Sequence, residues 1–179
     1  VEREVPVTEE QPHKSRRGLY RLKDHYLRFW FRYVHPNRSQ LEQGGGRVIL
    51  ENRLLPELDH FTSLAFEEVC KQYFLQQALL GKLPFQPIAI GRWWNNKEEI
   101  DLVVMNDLEA MLVECKWSKQ PVGTNILSAL EKKAEIAKKD LGDRKIQFAL
   151  CSRSGFTDQM MEVSKGRQDV WLIDLEEIV

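Results

Sequence analysis

Glu99-Ile-Asp-Leu-Val-Val-Met105 and, a few residues on, Ala110-Met-Leu-Val-Glu-Cys-Lys-Trp117 decide how this chain is read. Each is a short β-prone run, and Asn106-Asp107 supplies a turn between them, so the two read as neighbouring antiparallel strands. Side chains alternate across a strand, so Glu114 and Lys116 point to one side while Val113 and Cys115 point to the other. Asp101 stands among Ile100, Leu102, Val103 and Val104. A charge in such a run is costly unless it is paired or bound to a metal. If the strands pair across the turn, Asp101 comes near Glu114. Carboxylates on adjacent strands, about 4.8 Å apart, repel unless a cation lies between them.

The pattern extends outward from these strands. Residues 57–79 read as a helix, with Leu58, Phe61, Ala65, Val69 and Tyr73 at helical spacing and Gly81 and Pro84 beyond its end. Residues 86–94 are apolar and β-prone and run into Asn95-Asn96-Lys97, a turn, which makes three strands in an antiparallel meander. Pro121 and Gly123 stop the sheet, and a helix from about residue 125 to 139 carries Ile126, Leu130, Ala134 and Ala137 as its apolar face. A buried strand at 145–151, a short helix at 156–163 and a last strand at 170–173 complete the order. A helical crossover between two strands implies parallel pairing, so the expected architecture is α/β with a mixed sheet, α-β-β-β-α-β followed by α-β.

Composition bounds the function. The chain has 179 residues, 42% hydrophobic and 30% charged, enough to bury a core in one domain. No apolar run approaches the roughly 18 residues of a membrane helix, and the start has no basic-then-apolar leader, so no membrane partner is expected. Cys70, Cys115 and Cys151 form no CxxC and lie in apolar stretches, which points to a reducing, cytoplasmic setting. The 4 histidines lack metal-ligand spacing, which argues against zinc. The net charge of −1 gives no bulk attraction to nucleic acid, so any such contact is local. No GxxxxGK[ST] loop occurs, and Ser152 and Ser154 lack a His-Asp partner pattern, which excludes ATP binding by that loop and argues against a serine hydrolase.

Residues 1–46 read as a separate extension and 47–179 as the main domain, divided at Gly44-Gly45-Gly46. The absence of an initiator Met and the extended, charged start suggest a piece of a longer chain. Residues 13–38 are basic and aromatic; Asp24 is placed to cap a helix to about Val34, with Tyr26, Trp30 and Tyr33 or Val34 on one stripe. That stripe reads either as buried aromatics or as a base-stacking surface in which Arg28 and Arg32 touch nucleic acid. Lys132 and Lys133, on the helix at 125–139, read first as part of a solvated face of i,i+4 pairs, with contact to a DNA backbone as the lesser reading. Trp93-Trp94 reads as core plus an exposed edge, with base stacking as the other reading.

One constellation carries chemistry. Asp101 and Glu114 are oxygen ligands suited to Mg²⁺ or Mn²⁺, which bind one or two protein carboxylates plus water and substrate phosphate. Lys116 can orient an attacking water or stabilise developing charge on a phosphorane. Glu67, on the preceding helix, can add a ligand or hold a metal-bound water. Glu-x-Lys alone is common on solvent-facing strands; the Asp in an apolar strand and the preceding Phe66-Glu67 strengthen the signal.

Phe66-Glu67, Glu99-Ile100-Asp101 and Val113-Glu114-Cys115-Lys116-Trp117, in that element order, resemble the PD-(D/E)XK nuclease superfamily. The chain is also similar to the C-terminal domain of unknown function that follows prokaryotic archaeal-type AAA+ ATPases; its Tyr20-Arg-Leu-Lys-Asp-His-Tyr-Leu-Arg-Phe-Trp-Phe-Arg-Tyr-Val34 stretch looks like that domain's opening block. The resemblance implies a restriction-endonuclease-like core, with Asp101 and Glu114 as metal ligands, Lys116 as catalytic lysine and Glu67 as helix carboxylate. It also implies ATPase and winged-helix domains in the same longer chain. Ile100 stands where the name-giving Pro would be. The expected function is a metal-dependent nuclease-like domain acting on or sensing DNA; the rival readings are a non-catalytic interaction module of the ATPase and a nucleic-acid binder that does not cleave.

Overall fold

The computed structural model describes residues 1–178. In chain order it contains strands β1 (Glu2–Glu4) and β2 (Leu19–Arg21), short helices α1 (His25–Phe29), α2 (Arg38–Glu42) and α3 (Gly46–Ile49), and the long helix α4 (Leu55–Leu79). Then follow β3 (Ala89–Trp94), β4 (Glu99–Met105), β5 (Glu109–Lys116), α5 (Thr124–Leu141), β6 (Lys145–Ser152), α6 (Asp158–Lys165), β7 (Val170–Asp174) and α7 (Leu175–Ile178). The main sheet is five-stranded in the order β3-β4-β5-β6-β7. β3, β4 and β5 form the antiparallel meander, and β5-β6 and β6-β7 pair in parallel across the helical crossovers, so the sheet is mixed and flanked by helices.

Alternation sorts β5 onto two cores. Ala110 and Leu112 face α5, whose Leu127, Leu130, Ala134, Ala137 and Leu141 are buried with Ile100, Val103 and Leu150. Met111, Val113 and Cys115 face α4, packing with its Phe66, Cys70 and Phe74. β5 is central and buried on both faces, which is why it reads as a nearly unbroken apolar run.

Three expectations change. α4 packs on the sheet through Phe66, Cys70 and Phe74, with Tyr73 partly buried beside them, rather than through Leu58, Phe61, Ala65 and Val69; Leu58 and Val69 are exposed. The helix is apolar over much of its circumference, so spacing alone leaves its rotation open; Phe61 instead meets the N-terminal aromatics. Asp24 does cap α1, accepting the Leu27 amide at 2.8 Å. The helix then passes into a π-helical turn at Trp30–Val34 and a 3₁₀ turn at His35–Asn37. The wider turn shifts the helical phase. Phe29 and Tyr33 therefore face Phe61, with ring centroids 6.0 and 5.7 Å away, and Tyr26 is left 66% exposed. Finally, the glycine stretch is a turn within helical structure: only Gly44 has positive φ (84°), and Gly46 opens α3, which leads through a π-helical turn at Leu50–Leu54 into α4.

The N-terminal residues are ordered against the sheet. β1 and β2 form a small antiparallel pair. The Val7 amide donates to the Arg92 carbonyl at 2.8 Å, covering the edge strand β3. Gly91 permits this approach: a Cβ there would lie 3.2 Å from that of Val7. Arg17 donates to the Trp94 carbonyl and pairs with Asp140, which also accepts the Trp93 indole N–H at 2.9 Å.

Burial separates strong from weak positions. Leu150→Ala, at a site 1% exposed, is expected to cost about 2–5 kcal/mol. Leu108→Ala, at a turn position 77% exposed, is expected to stay within about 0.5 kcal/mol of the parent. Urea unfolding at constant m-value checks both.

Candidate active site

The site is built where β4 and β5 part. Their ladder ends at the Leu102–Val113 pair. On the other side of β4, the register with β3 slips between the Gly91–Val103 and Trp93–Ile100 pairs, so Asp101 and Leu102 together oppose Arg92. This is a β-bulge, which bends a strand and re-aims a side chain. Asp101 is the re-aimed residue, and its Oδ2 accepts the Cys115 backbone N–H at 2.8 Å. A side-chain carboxylate thereby satisfies an amide that the ladder no longer serves.

Glu114 lies on the α5 side of β5 and is only 6% exposed. Both its carboxylate oxygens are occupied: Lys116 Nζ donates to Oε1 at 2.6 Å and Lys133 Nζ to Oε2 at 2.8 Å. Lys133 sits on α5 beside the inward-facing Leu130 and Ala134, which turns its ammonium toward the strand rather than to solvent. The charged helix pattern offers a solvated face or a DNA contact for this residue; the structure places it on Glu114 instead. Lys132 is exposed on the same helix.

Glu67 projects from α4 into a cavity of about 490 Å³ that Asp101, Arg92, Arg21 and Arg28 also line, with residues of β1 at its rim. Arg92 is the nearest cation to Glu67, its Nε 3.8 Å from the carboxylate, and it also reaches Glu99 at 3.1 Å. Among the described residues no carboxylate pairs with Arg28, whereas Arg32 is engaged by Glu57 at 2.8 Å on the outer surface. The structure therefore places Glu67 and Asp101 at the cavity with Arg92 and Arg28, places Glu114 with Lys116 and Lys133 on the α5 side of β5, and keeps Arg32 and Lys132 away from both. Nothing in the local sequence marked Arg92, or Lys133 as the partner of Glu114; each reaches its carboxylate through packing across the sheet.

Electrostatics follow from burial. Desolvation, reinforced by the Asp101 charge and opposed by Arg92, raises the Glu67 carboxyl to about 7. Desolvation and the Glu114 charge raise Asp101 to about 6, against the Cys115 hydrogen bond and the two lysines. On Lys116, the hydrogen bond and charge of Glu114 outweigh desolvation and hold the ammonium above its usual value. The donor set is carboxylate oxygen, the hard chemistry that suits Mg²⁺ or Mn²⁺. Asp101 keeps one oxygen free of the hydrogen bond to Cys115, and two ammonium groups stand where cationic charge is wanted. The donor type suits such an ion, but both Glu114 oxygens are held by lysines, and Glu67, Asp101 and Glu114 do not converge within 4.8 Å of one another, so holding an ion here would require Lys116 or Lys133 to give up its contact.

A pH dependence follows for the metal-free protein. Both acids titrate higher in the folded chain than in the unfolded one, so between about pH 4 and pH 7 the folded chain holds more protons. Its stability therefore falls as pH rises through that window. Asp101→Asn, which can still accept the Cys115 amide, is expected to flatten part of this fall. Urea unfolding of both proteins in EDTA at pH 5 and pH 8 measures it; equal pH dependence in the two would sink the assignment.

Comparison with known proteins gives a family and a relative, both of unknown function. The DUF234 family, described as archaeal and bacterial proteins of unknown function, matches residues 30–136. A similar protein, the uncharacterized protein MJECL04 of Methanocaldococcus jannaschii, is 38% identical over 119 residues, 65% of this chain. The match spans 26% of that relative's length. No solved structure matches. The family match covers more than half of the chain, from the π-helical turn through the site strands to α5, and the chain belongs to the DUF234 family.

Proposed function

We propose that this chain is a metal-dependent nuclease-like domain that hydrolyses or senses DNA phosphodiesters as the C-terminal part of a larger ATPase. The carrying observation is the bulge-set Asp101, hydrogen-bonded to the amide next to Glu114 and sharing a cavity with Glu67. The α-β-β-β-α-β order and the mixed sheet support a restriction-endonuclease-like core; the ATPase context rests on the resemblance of the Tyr20–Val34 stretch.

Asp101 and Glu114 would hold Mg²⁺ or Mn²⁺, with Glu67 as a further oxygen ligand or a partner of bound water. The ion would polarise the phosphodiester and lower the pKa of a water. The chain's own residues supply the rest. Lys116, held charged by Glu114, presents N–H donors to charge developing on phosphate oxygens. Lys133 keeps the second Glu114 oxygen oriented. Arg28 and Arg92 give the cavity positive charge for an anionic backbone, although the whole chain is near neutral.

A second reading rests on a specific observation. Both Glu114 oxygens are already satisfied by lysines, so the fold does not need an ion to keep this carboxylate buried. A non-catalytic module of the ATPase would show the same geometry. Cleavage of supercoiled and single-stranded DNA with Mn²⁺ separates the two. On the nuclease reading, Lys116→Ala and Glu114→Ala each lower the rate by about 10²-fold or more. Cutting that survives in both variants, or the absence of both cutting and Mn²⁺ binding in the parent, would overturn it.

A further inference from the structure

The chain has 3 cysteines, and all of them meet at one point. Cys70 comes from α4, Cys115 from β5 and Cys151 from β6, and their sulfurs lie within 4.8 Å of one another. Cys115 and Cys151 are register partners on the parallel strands, and Cys70 packs onto them from the helix. All three are buried, in a cluster with Phe66, Phe74, Met111, Val113 and Ala149. One buried cysteine is an ordinary small hydrophobe and needs no further account. Packing does not require that every cysteine of the chain, drawn from three separate elements, converge on a single spot.

We propose that Cys70, Cys115 and Cys151 form a three-coordinate site for a soft, monovalent metal ion of the Cu(I) class. With metal–sulfur bonds of about 2.3 Å, three sulfurs around a central ion stand about 4.0 Å apart. Closing the cluster onto an ion therefore needs sulfur movements of less than about 1 Å, within reach of χ1 adjustment. Thiolate ligands select soft metals and disfavour Mg²⁺ and Mn²⁺. A structural Zn²⁺ takes four ligands in a tetrahedron; among the described residues no fourth cysteine, histidine or carboxylate joins the group. Thiolates are the ligating form, so binding releases the thiol protons to solvent.

The site lies behind the carboxylates, not among them. Cys115 stands between Glu114 and Lys116 in the strand but points to the α4 face, and its amide holds Asp101. An ion on its sulfur would tie α4 to β5 and β6 at the strand that carries Glu114. The proposal does not depend on whether the carboxylate site cleaves DNA.

The test is an anaerobic titration of the reduced full chain with Cu(I), using bicinchoninate as competing chelator. One ion per chain, a near-ultraviolet thiolate-to-metal absorption and a raised Tm are expected. Cys70→Ala and Cys151→Ala, which leave Cys115 and the carboxylate site in place, are each expected to weaken binding at least 100-fold. Far-UV circular dichroism confirms that each variant is folded, and the parent titration stands even if a variant does not fold. The proposal falls if the parent takes no Cu(I) from the chelator, if both folded variants bind as well as the parent, or if Zn²⁺ is held more tightly than Cu(I).

Discussion

Glu114 is a charge on the central strand of a five-stranded sheet, and the arrangement around it follows from keeping that charge matched. A buried carboxylate is tolerable only when its charge and its lone pairs are both satisfied. Here one oxygen goes to Lys116, on the same strand face two residues along, and the other to Lys133 on α5. The second contact ties the rotation of α5 to the pleat of β5, because the apolar stripe of Leu130 and Ala134 must lie on the sheet while Lys133 reaches the strand. The whole site is close to balanced in formal charge: Glu67, Asp101 and Glu114 stand against Lys116, Lys133 and Arg92. With Glu67 and Asp101 both pushed toward protonation, the balance tips positive in mildly acidic solution.

The bulge in β4 is the second constraint. A regular strand would place Asp101 in the Glu114 row of the ladder, facing α5. The slipped register instead lets the carboxylate serve the Cys115 amide and share a cavity with Glu67 of α4. Carboxylates from two layers of the fold are thereby brought to one end of the sheet. The N-terminal residues close the same end: Val7 covers β3, and Glu4, bonded to Arg21 at 2.8 Å, lies 3.8 Å from Arg92 at the cavity rim.

Much of this was legible in the residues. The three meander strands, the crossover helix and the parallel pairing follow from short turns, β-branched runs and helical spacing. Asp101 within an apolar strand and the Glu-x-Lys pattern marked the site because alternation is a strong constraint over a few residues. The parts that escaped depend on phase or on distance in sequence. α4 is apolar on several sides, so its spacing could not choose Phe66, Cys70 and Phe74 over Leu58 and Val69. A π-helical turn at Trp30–Val34 leaves no residue signature, yet it moves Tyr26 outward and Tyr33 inward. Lys133 looked like any lysine on a charged helix face, and the cysteines, read by spacing, looked unrelated. Their meeting is a property of strand register, which pairs Cys115 with Cys151, and of the helix phase that the sequence left open.

Strand β5 consequently presents two chemistries from adjacent residues. Glu114 and Lys116 offer a hard carboxylate and an ammonium on the α5 side; Cys115 offers a soft sulfur on the α4 side. Alternation keeps the two sets on opposite faces of the strand. They are nevertheless linked through a single peptide unit, because the amide of Cys115 is the hydrogen-bond donor to Asp101. Any displacement of Cys115 is felt first by that hydrogen bond, whose acceptor has no ladder partner to hold it in place. Asp101 is therefore the member of the site whose position is least protected by secondary structure and most dependent on what its neighbours do.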